Sequence, residues 1–267
     1  MQDVASILQG LNPAQREAVL TPGGPLLVIA GPGSGKTRVI AHRIAYLVAT
    51  GISPRRILAA TFTNKAAREM RERVAALVGD AVHQATLGTF HATCARILRA
   101  HGYHRRLERG FAIYDDKEQL EVMRRALKEM SLDPQKTPPR AVLATISRAK
   151  AELQTPEAYA RTVKSYFQEV VARLYERYQE LLRENGALDF DDLLMETVLL
   201  FDQEAEVLEE YRRRYIHLLI DEFQDTNVAQ YVLARQLASH YGNICVVGDP
   251  DQSIYTWRAA DLRNILN

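Results

Sequence analysis

The sequence predicts an α/β fold, in which helices flank a parallel β-sheet and an all-helical subdomain is inserted into the sheet-bearing domain. Three features of the sequence support this prediction. Short apolar runs rich in β-branched residues recur along the chain, stretches with helical periodicity separate them, and such runs are missing over one long internal stretch. Apolar runs of about four to six residues that end in glycine or polar residues are typical of strands buried on both faces of a parallel sheet.

Five strands are predicted from these runs: Leu26–Ala30, Ile57–Phe62, Ala85–Thr89, His217–Ile220 and Ile244–Val247. Parallel strands carry the loops that follow them to one edge of the sheet, and open α/β sheets bind their ligands at that edge. We therefore expect the chemically active residues directly after these runs.

The stretch from about Arg99 to Gly186 lacks the strand pattern and predicts helices over 116–130, 139–151 and 162–185, with proline-bearing loops between them. The predicted organisation is residues 1–105 as the first part of the sheet domain, 106–186 as the helical insert and 187–267 as the second part of the sheet domain. A helical pattern begins at Asp261 and is cut short at Asn267. We therefore expect the sequence to be a piece of a longer protein.

Composition excludes several classes of protein. With 47% apolar and 25% charged residues in 267, the chain is neither disordered nor collagen-like. It has no run of about 20 apolar residues, the length that a membrane helix needs, and its N-terminus lacks the features of a secretory signal, so we expect a cytoplasmic protein with no membrane partner. Cys94 and Cys245 stand apart without CxxC or CxH companions, and we expect both to be buried small apolar residues.

Charge is unevenly distributed along the chain. Residues 1–98 hold 11 basic and 5 acidic side chains and residues 99–186 hold 17 and 13, whereas residues 187–267 hold 6 and 15. Clustered in space, the basic part would attract phosphates and the acidic part would attract a metal ion. Such asymmetry is also common on solvated surfaces, so charge alone favours a nucleic-acid partner only weakly.

A glycine-rich segment follows the first predicted strand and precedes a helical stretch that starts near Arg38. Its sequence is Ala30-Gly31-Pro32-Gly33-Ser34-Gly35-Lys36-Thr37. Glycines let backbone N–H groups and the helix N-terminus point at phosphate oxygens, the lysine adds charge at the β- and γ-phosphates, and the threonine hydroxyl can bind Mg²⁺. The order of strand, loop and helix predicts a P-loop, although Ala30 stands where the pattern has glycine.

Two adjacent acids, Asp221 and Glu222, come directly after the strand predicted at His217–Ile220. In P-loop enzymes one acid at this place completes the Mg²⁺ site and a second orients or deprotonates the attacking water. We predict the first role for Asp221, together with Thr37, and the second for Glu222. The alternative is a surface acid pair at a helix start, where the helix dipole favours negative charge.

Further motifs extend the pattern over nearly the whole chain. They are Leu11-Asn12-Pro13-Ala14-Gln15, Thr61-Phe62-Thr63-Asn64-Lys65-Ala66-Ala67, Gly88-Thr89-Phe90-His91-Ala92, Leu188-Asp189-Phe190-Asp191-Asp192-Leu193, and the ranges 221–227 and 248–258. Together with the P-loop, they resemble the motifs of UvrD/Rep/PcrA-type superfamily 1 DNA helicases, in their first RecA-like domain, 1A, with its helical insert, 1B. The resemblance implies an enzyme that uses ATP, Mg²⁺ and single-stranded DNA.

The resemblance also implies roles for individual residues. Gln15 would read adenine, and Gln252 would sense the γ-phosphate. ATP would lie over the P-loop residues and Arg38, and DNA would contact Phe62, Thr63, Asn64, Thr89, Phe90, His91, Tyr255, Trp257 and Arg258.

The residues by themselves leave alternatives open. Asn12 and Pro13 are also typical of a capped helix N-terminus, and Phe62 and Phe90 are also typical of core aromatics; His91 is similarly ambiguous. The acids of residues 188–193 are interpreted as a structural helix start or a DNA-proximal segment.

The resemblance implies the ATP-binding half of a P-loop, RecA-like DNA helicase that moves 3′ to 5′ on single strands, in DNA repair or replication. The direction of movement rests on the resemblance alone. The family carries a second RecA-like domain with arginines that stabilise the transferred phosphate. We therefore expect this part alone to bind ATP weakly and to unwind nothing. One alternative is a P-loop module that uses ATP as a switch without nucleic acid, and another is a nuclease-fused or RNA-acting relative.

Overall fold

The computed structural model describes residues 3–252. Within this range the strands are β1 Leu26–Ile29, β2 Ile57–Thr61, β3 Thr86–Thr89, β4 Ala112–Tyr114, β5 Ala187–Asp189, β6 His217–Ile220 and β7 Ile244–Gly248. The helices are α1 Val4–Leu8, α2 Pro13–Leu20, α3 Lys36–Ala49, α4 Asn64–Val78, α5 Phe90–His101, α6 Asp116–Glu129, α7 Pro139–Ala151, α8 Pro156–Ala160, α9 Tyr166–Glu184, α10 Phe190–Gln203, α11 Ala205–Arg214 and α12 Val228–Ala238. The helix predicted from Asp261 lies outside the described residues.

The five strands predicted from the apolar runs form one sheet, which confirms the predicted fold class. The strand order is β1-β7-β6-β2-β3, and every neighbouring pair is parallel. All residues of β2 and β6 are buried, as expected for central strands covered on both faces. The loops after all five strands therefore emerge at the same edge of the sheet.

Helices α3 and α4 supply apolar side chains that pack with the sheet. Ile40 and Ile44 of α3 and Met70 of α4 are fully buried, and they share one core cluster with Ile57 of β2 and Val247 of β7. Helical spacing of these apolar residues places them on one face of each helix. The packing fixes the start of α3, and with it the P-loop, against the sheet edge.

Arg43 fastens α2 to α3. Its side chain is 3% exposed, and Nη1 donates to the carbonyl oxygens of Ala18 at 2.8 Å and Thr21 at 2.9 Å. These carbonyls lie at the C-terminal end of α2, where helix carbonyl groups lack partners within the helix. Burial lowers the pKa of Arg43 from its usual value. The contact holds α2, which begins at the motif containing Gln15, beside the helix that follows the P-loop.

The second compact part of the structure is helical. Helices α6, α7 and α9 bury a common apolar core that includes Met123, Val142, Leu174 and Tyr178. Two of the three helices predicted here have nearly the predicted bounds, whereas α9 begins at Tyr166, after residue 162, because the Ser165 side chain caps it. Among the described helices of the chain, none has both the length and the apolar composition needed to cross a membrane.

The prediction that strands are missing between about residues 99 and 186 was wrong for one short segment. β4 lies inside this stretch and pairs in parallel with β5, with Ala112 opposite Ala187 and Tyr114 opposite Asp189. A strand of three residues is too short to produce a recognisable alternation of side chains. The two buried cysteines, in contrast, are confirmed as small core residues, because Cys94 is 0% and Cys245 is 2% exposed.

Packing divides the described chain at other positions than those predicted from sequence. One compact unit comprises residues 3–93, 204–226 and 230–252, and the other comprises residues 94–203 and 227–229. Most of α5 and all of α10 therefore group with the helical unit. The domain boundaries at 105 and 186 remain a prediction.

A buried ionic cluster lies within the helical unit. Lys150 is 0% exposed, and its Nζ lies 2.6 Å from Asp189 Oδ2 and 2.8 Å from Asp192 Oδ1. The Tyr178 hydroxyl donates to Asp189, and the Gln179 amide donates to Asp192. Burial lowers the pKa of Lys150, but the two carboxylates outweigh it and raise that pKa above its usual value.

The same cluster supports one of the two interpretations of residues 188–193. The Asp192 N–H donates to Asp189 Oδ1 at 2.8 Å, and the Asp189 N–H donates to Asp192 Oδ2 at 3.1 Å. This reciprocal pairing caps the start of α10, so the structure supports the interpretation as a structural helix start. The partner of these acids is a lysine.

We predict that Lys150→Met lowers the free energy of unfolding by about 3–5 kcal/mol, because it leaves Asp189 and Asp192 buried without a positive charge. Burial, followed by the charge of Asp189, already raises the pKa of Asp192 to about 7. Without Lys150, buried carboxylates bind protons more tightly in the folded state, so stability falls as the pH rises and the defect shrinks in acid. Chemical denaturation at several pH values measures this. Lys128→Met, at an exposed position of α6, is the matched control, and equal stability of the two variants at neutral pH would contradict the prediction.

Candidate active site

The P-loop connects β1 to α3 at the carboxyl edge of the sheet. Gly35 has φ +85° and is the N-cap residue of α3 without any side-chain hydrogen bond to the helix, so the first N–H groups of α3 remain directed at the loop. The Ser34 hydroxyl donates to the Gly31 carbonyl at 2.6 Å, and the Ala30 N–H continues the sheet ladder to the Gly248 carbonyl. Residues 31–34 are exposed, as a loop that receives a ligand must be. The arrangement suits an anion at the helix N-terminus.

Gln15 contacts the P-loop directly. Its Nε2 donates to the Ser34 carbonyl at 2.8 Å, while its Oε1 accepts from the Asn12 N–H at 3.1 Å. Asn12 in turn caps α2, so the interpretation of this motif as a capped helix N-terminus is confirmed. Each end of a glutamine amide can make one more hydrogen bond. The adenine-reading role of Gln15 stays a prediction. Arg38, which is also predicted to contact the nucleotide, is exposed on the first turn of α3 and lies close to Gly10.

Lys36 carries a charge that the described protein residues satisfy only in part. Its side chain is 8% exposed, and Nζ lies 3.3 Å from Glu222 Oε2 but at an angle unsuited to a hydrogen bond. Among the described residues, buried Nζ has no hydrogen-bond partner. A buried ammonium in this state is costly unless a ligand completes its contacts. Phosphate oxygens at the P-loop would do so, which means that the residues present fit a nucleotide.

Thr37 and Asp221 meet across the sheet edge. Thr37 Oγ1 donates to Asp221 Oδ2 at 3.0 Å, although the two residues follow β1 and β6, which are separated by β7. Burial, and after it the charge of Glu222, raises the pKa of Asp221 to about 6. A hydroxyl and a carboxylate that face each other offer the oxygen ligands that Mg²⁺ prefers. This pair therefore fits the predicted metal site.

Glu222 stands at a sharp turn after β6. Its backbone has φ 52° and ψ 46°, a left-handed conformation that costs a residue other than glycine about 1–2 kcal/mol. Such strain is characteristic of functional sites. The Gln224 amide donates to Glu222 Oε2 at 2.8 Å and so holds the carboxylate that also faces Lys36.

The loop after β7 brings Gln252 into the same region. The Gln252 amide donates to Asp249 Oδ2, and the Asp249 N–H donates to Gln224 Oε1 at 3.0 Å. Gln252 is therefore connected to Glu222 through two intermediate residues. Sequence reasoning placed Gln224 and Asp249 within two motifs but gave neither of them a role, because polar residues in loops carry no signal that tells which of them will pair.

The described residues that are predicted to contact DNA lie at the end of β3 or directly after β2 and β3, at the same edge. The Thr63 hydroxyl caps α4 by accepting from the Ala66 N–H at 3.1 Å, and Asn64 is exposed at the first position of that helix. The Thr89 hydroxyl likewise accepts from the Ala92 N–H at 3.1 Å near the start of α5. Two helix N-termini thus follow these strands, and N–H groups there are suited to phosphates.

The aromatic residues of these motifs differ in exposure. Phe62 and His91 are half-buried. Phe90 is only 5% exposed, so its ring is part of the core, and the expectation that it contacts a DNA base is corrected. The reason is that Phe90 is the first residue of α5 and directly follows the buried strand β3, where an apolar ring packs into the core. Tyr255, Trp257 and Arg258 lie outside the described residues.

A glycine loop at a helix start, facing two acids that follow a parallel strand, defines a P-loop nucleotide-binding domain. The family model for the UvrD/REP helicase N-terminal domain matches residues 11–267. The chain therefore belongs to the UvrD/REP helicase N-terminal domain family.

Curated relatives with the same name in three bacteria are similar to the chain. The ATP-dependent DNA helicase PcrA of Bacillus subtilis is 53% identical over 262 residues, that of Staphylococcus aureus is 49% identical over 263, and that of Staphylococcus epidermidis is 47% identical over 263. Each alignment covers 98% of this chain and 36% of the relative. The chain thus spans about a third of the length of these relatives.

We predict that Gly35→Ala weakens nucleotide binding by about tenfold or more, because the left-handed backbone becomes strained. A Cβ at this position would also lie 2.9 Å from Gln15 Nε2 and would displace it from Ser34. Titration with a fluorescent ATP analogue measures the affinity. Gly51→Ala is the matched control, since Gly51 has φ +98° but no atom within 4 Å of an added Cβ. Equal affinity of the two variants would show that the Gln15 contact does not shape the loop.

Proposed function

We propose that the chain is the ATP-binding half of an ATP-dependent DNA helicase that couples ATP hydrolysis to 3′ to 5′ movement on single-stranded DNA. The observation that carries the proposal is the convergence of Lys36 and Thr37 with Asp221 and Glu222 at one sheet edge. Family membership and the printed name of the similar bacterial relatives support it.

The four residues have distinct roles in this proposal. Lys36, whose Nζ has no hydrogen-bond partner among the described residues, binds the β- and γ-phosphates. Thr37 and Asp221 hold Mg²⁺, which when bound neutralises charge that develops on the phosphates. The glycine-rich loop and the first N–H groups of α3 cradle the phosphates.

Glu222 is the proposed general base. In the structure its Oε2 faces both Lys36 and the Gln224 amide. When phosphate oxygens bind Lys36, the Glu222 carboxylate is released from the ammonium group and can accept a hydrogen bond from the attacking water. Gln224 keeps the carboxylate in place while it accepts a proton from the attacking water. Gln252, which reaches this acid through Asp249 and Gln224, senses the γ-phosphate.

The DNA track in this proposal runs along the same sheet edge. Thr63, Asn64 and Thr89 bind phosphates at the starts of α4 and α5, with Phe62 and His91 beside them. Tyr255 and Trp257 stack on bases, because stacking tolerates any sequence and a translocating enzyme needs such tolerance. Arg258 contacts phosphate or an acidic partner.

A second RecA-like domain of the same protein completes the enzyme by supplying arginines to the transferred phosphate. A role in DNA repair or replication and a cytoplasmic location remain predictions from the sequence.

The effect of single-stranded DNA on ATP hydrolysis distinguishes this proposal from a P-loop module that uses ATP as a switch. We predict that it accelerates ATP hydrolysis by the complete protein. Under the switch alternative the rate would be the same with and without DNA. An equal or larger acceleration by single-stranded RNA would favour an RNA-acting relative.

We predict that Glu222→Gln in the complete protein retains ATP binding but lowers the DNA-stimulated kcat by about 100-fold or more, because an amide cannot accept the proton. Lys36→Ala is expected to abolish nucleotide binding itself. Glu206→Gln, an exposed acid of α11, is the matched control and should behave as the wild type. Steady-state hydrolysis and nucleotide titration distinguish the variants, and normal turnover of Glu222→Gln would remove this residue from its role.

A further inference from the structure

A buried glutamine connects the proposed base to the loop after β7. Gln224 is 1% exposed and lies in the short turn Phe223–Asp225 that follows Glu222. Its Nε2 donates to Glu222 Oε2 at 2.8 Å, and its Oε1 accepts from the Asp249 N–H at 3.0 Å. Both ends of one amide are therefore used, one on each loop.

The connection continues on the far side of Asp249. The Asp249 carboxylate accepts from the Gln252 amide through Oδ2 and from the Asp251 N–H through Oδ1, and the Gln252 N–H donates to the Asp249 carbonyl. Asp249 itself is 4% exposed. The loop that carries Gln252 is thus a small hydrogen-bonded unit, and Gln224 attaches this unit to the Glu222 carboxylate.

We propose that Gln224 is a positioning residue that transmits the state of the Asp249–Gln252 loop to the Glu222 carboxylate. The inference rests on the proposed function, because it assigns Gln224 a part in the hydrolysis for which Glu222 is the base. A shift of the loop pulls on Gln224 Oε1 through the Asp249 N–H, and the rigid amide plane carries that shift to Glu222 Oε2. Contact of DNA with the region after Gln252 would thereby reach the base.

The chemistry of the side chain fits this role. An amide donates at one end and accepts at the other, whereas a carboxylate at this position would repel Glu222 and an apolar side chain would remove both hydrogen bonds. Because the amide is almost fully buried, water cannot readily replace either bond. The side chain must also have the length of glutamine to span the two loops.

Gly248 is the second observation that supports the connection. A Cβ at residue 248 would lie 2.7 Å from Gln224 Oε1 and 3.3 Å from the Gln224 backbone nitrogen. A side chain at residue 248 would therefore force the Gln224 amide to shift. The same residue accepts from the Ala30 N–H at the start of the P-loop, so the end of β7 contacts both the phosphate loop and the connecting amide.

Gln224→Met in the complete protein tests the proposal, because methionine keeps the length and approximate volume but makes neither hydrogen bond. We expect the DNA-stimulated kcat for ATP hydrolysis to fall about 10- to 100-fold, the loss typical when a residue that orients a functional group is removed. The hydrolysis rate without DNA should fall less, so the stimulation ratio decreases. KM for ATP, the affinity for an ATP analogue and the affinity for single-stranded DNA should stay within about threefold of the wild type.

Gln236→Met is the matched control, because Gln236 is a partly buried glutamine of α12 in the same protein. It should retain the full stimulation by DNA. Gly248→Ala disturbs the same contact, because its added Cβ would lie 2.7 Å from Gln224 Oε1. It should show the same selective loss of kcat and of stimulation by DNA. If Gln224→Met fails to fold, the result for Gly248→Ala alone decides whether the inference holds.

The outcomes separate this inference from the function on which it rests. A wild-type protein without DNA stimulation would overturn the proposed function, and this inference with it. A stimulated wild type with unchanged kcat and stimulation in Gln224→Met, or in Gly248→Ala if the first does not fold, would overturn the inference alone. A joint loss of nucleotide affinity, DNA affinity and kcat would also overturn it, since it would mean that Gln224 serves the packing only.

Discussion

The hydrogen bond from Thr37 Oγ1 to Asp221 Oδ2 joins the two loops on which the site depends. The loops belong to strands that are not neighbours, and they meet because all strands of the sheet are parallel and end at one edge. Parallel strands need long crossover connections, and the helices in those connections provide the apolar faces that bury the sheet. The topology that stabilises the domain therefore also brings the threonine and the acid together.

The described residues of the site balance the buried charges of Lys36 and Asp221 only in part. Lys36 is buried beside Glu222 without a hydrogen bond, and burial together with the Glu222 charge raises the pKa of Asp221 to about 6. The cluster around Lys150 shows how the same chain treats a structural charge, because there each charged group has hydrogen-bonded partners. The contrast between the two buried lysines supports the proposal that Lys36 binds a ligand.

The sheet and the main site residues could be predicted from the sequence because their signals are local. An apolar run, a glycine loop and an acid pair each occupy consecutive residues, and the parallel arrangement then fixes which of them meet. Other features depend on tertiary contacts that leave no local pattern. The burial of Phe90, the pairing of Lys150 with two acids, the short strand at Ala112 and the bridge through Gln224 all belong to this group.

The most direct test is a crystal structure of the chain with a non-hydrolysable ATP analogue and Mn²⁺, in which anomalous scattering locates the metal. The account predicts one Mn²⁺ in contact with Thr37 Oγ1 and the Asp221 carboxylate, with Lys36 Nζ moved from Glu222 onto the phosphate oxygens. Mn²⁺ bound elsewhere, or Lys36 still against Glu222 with the nucleotide in place, would contradict it.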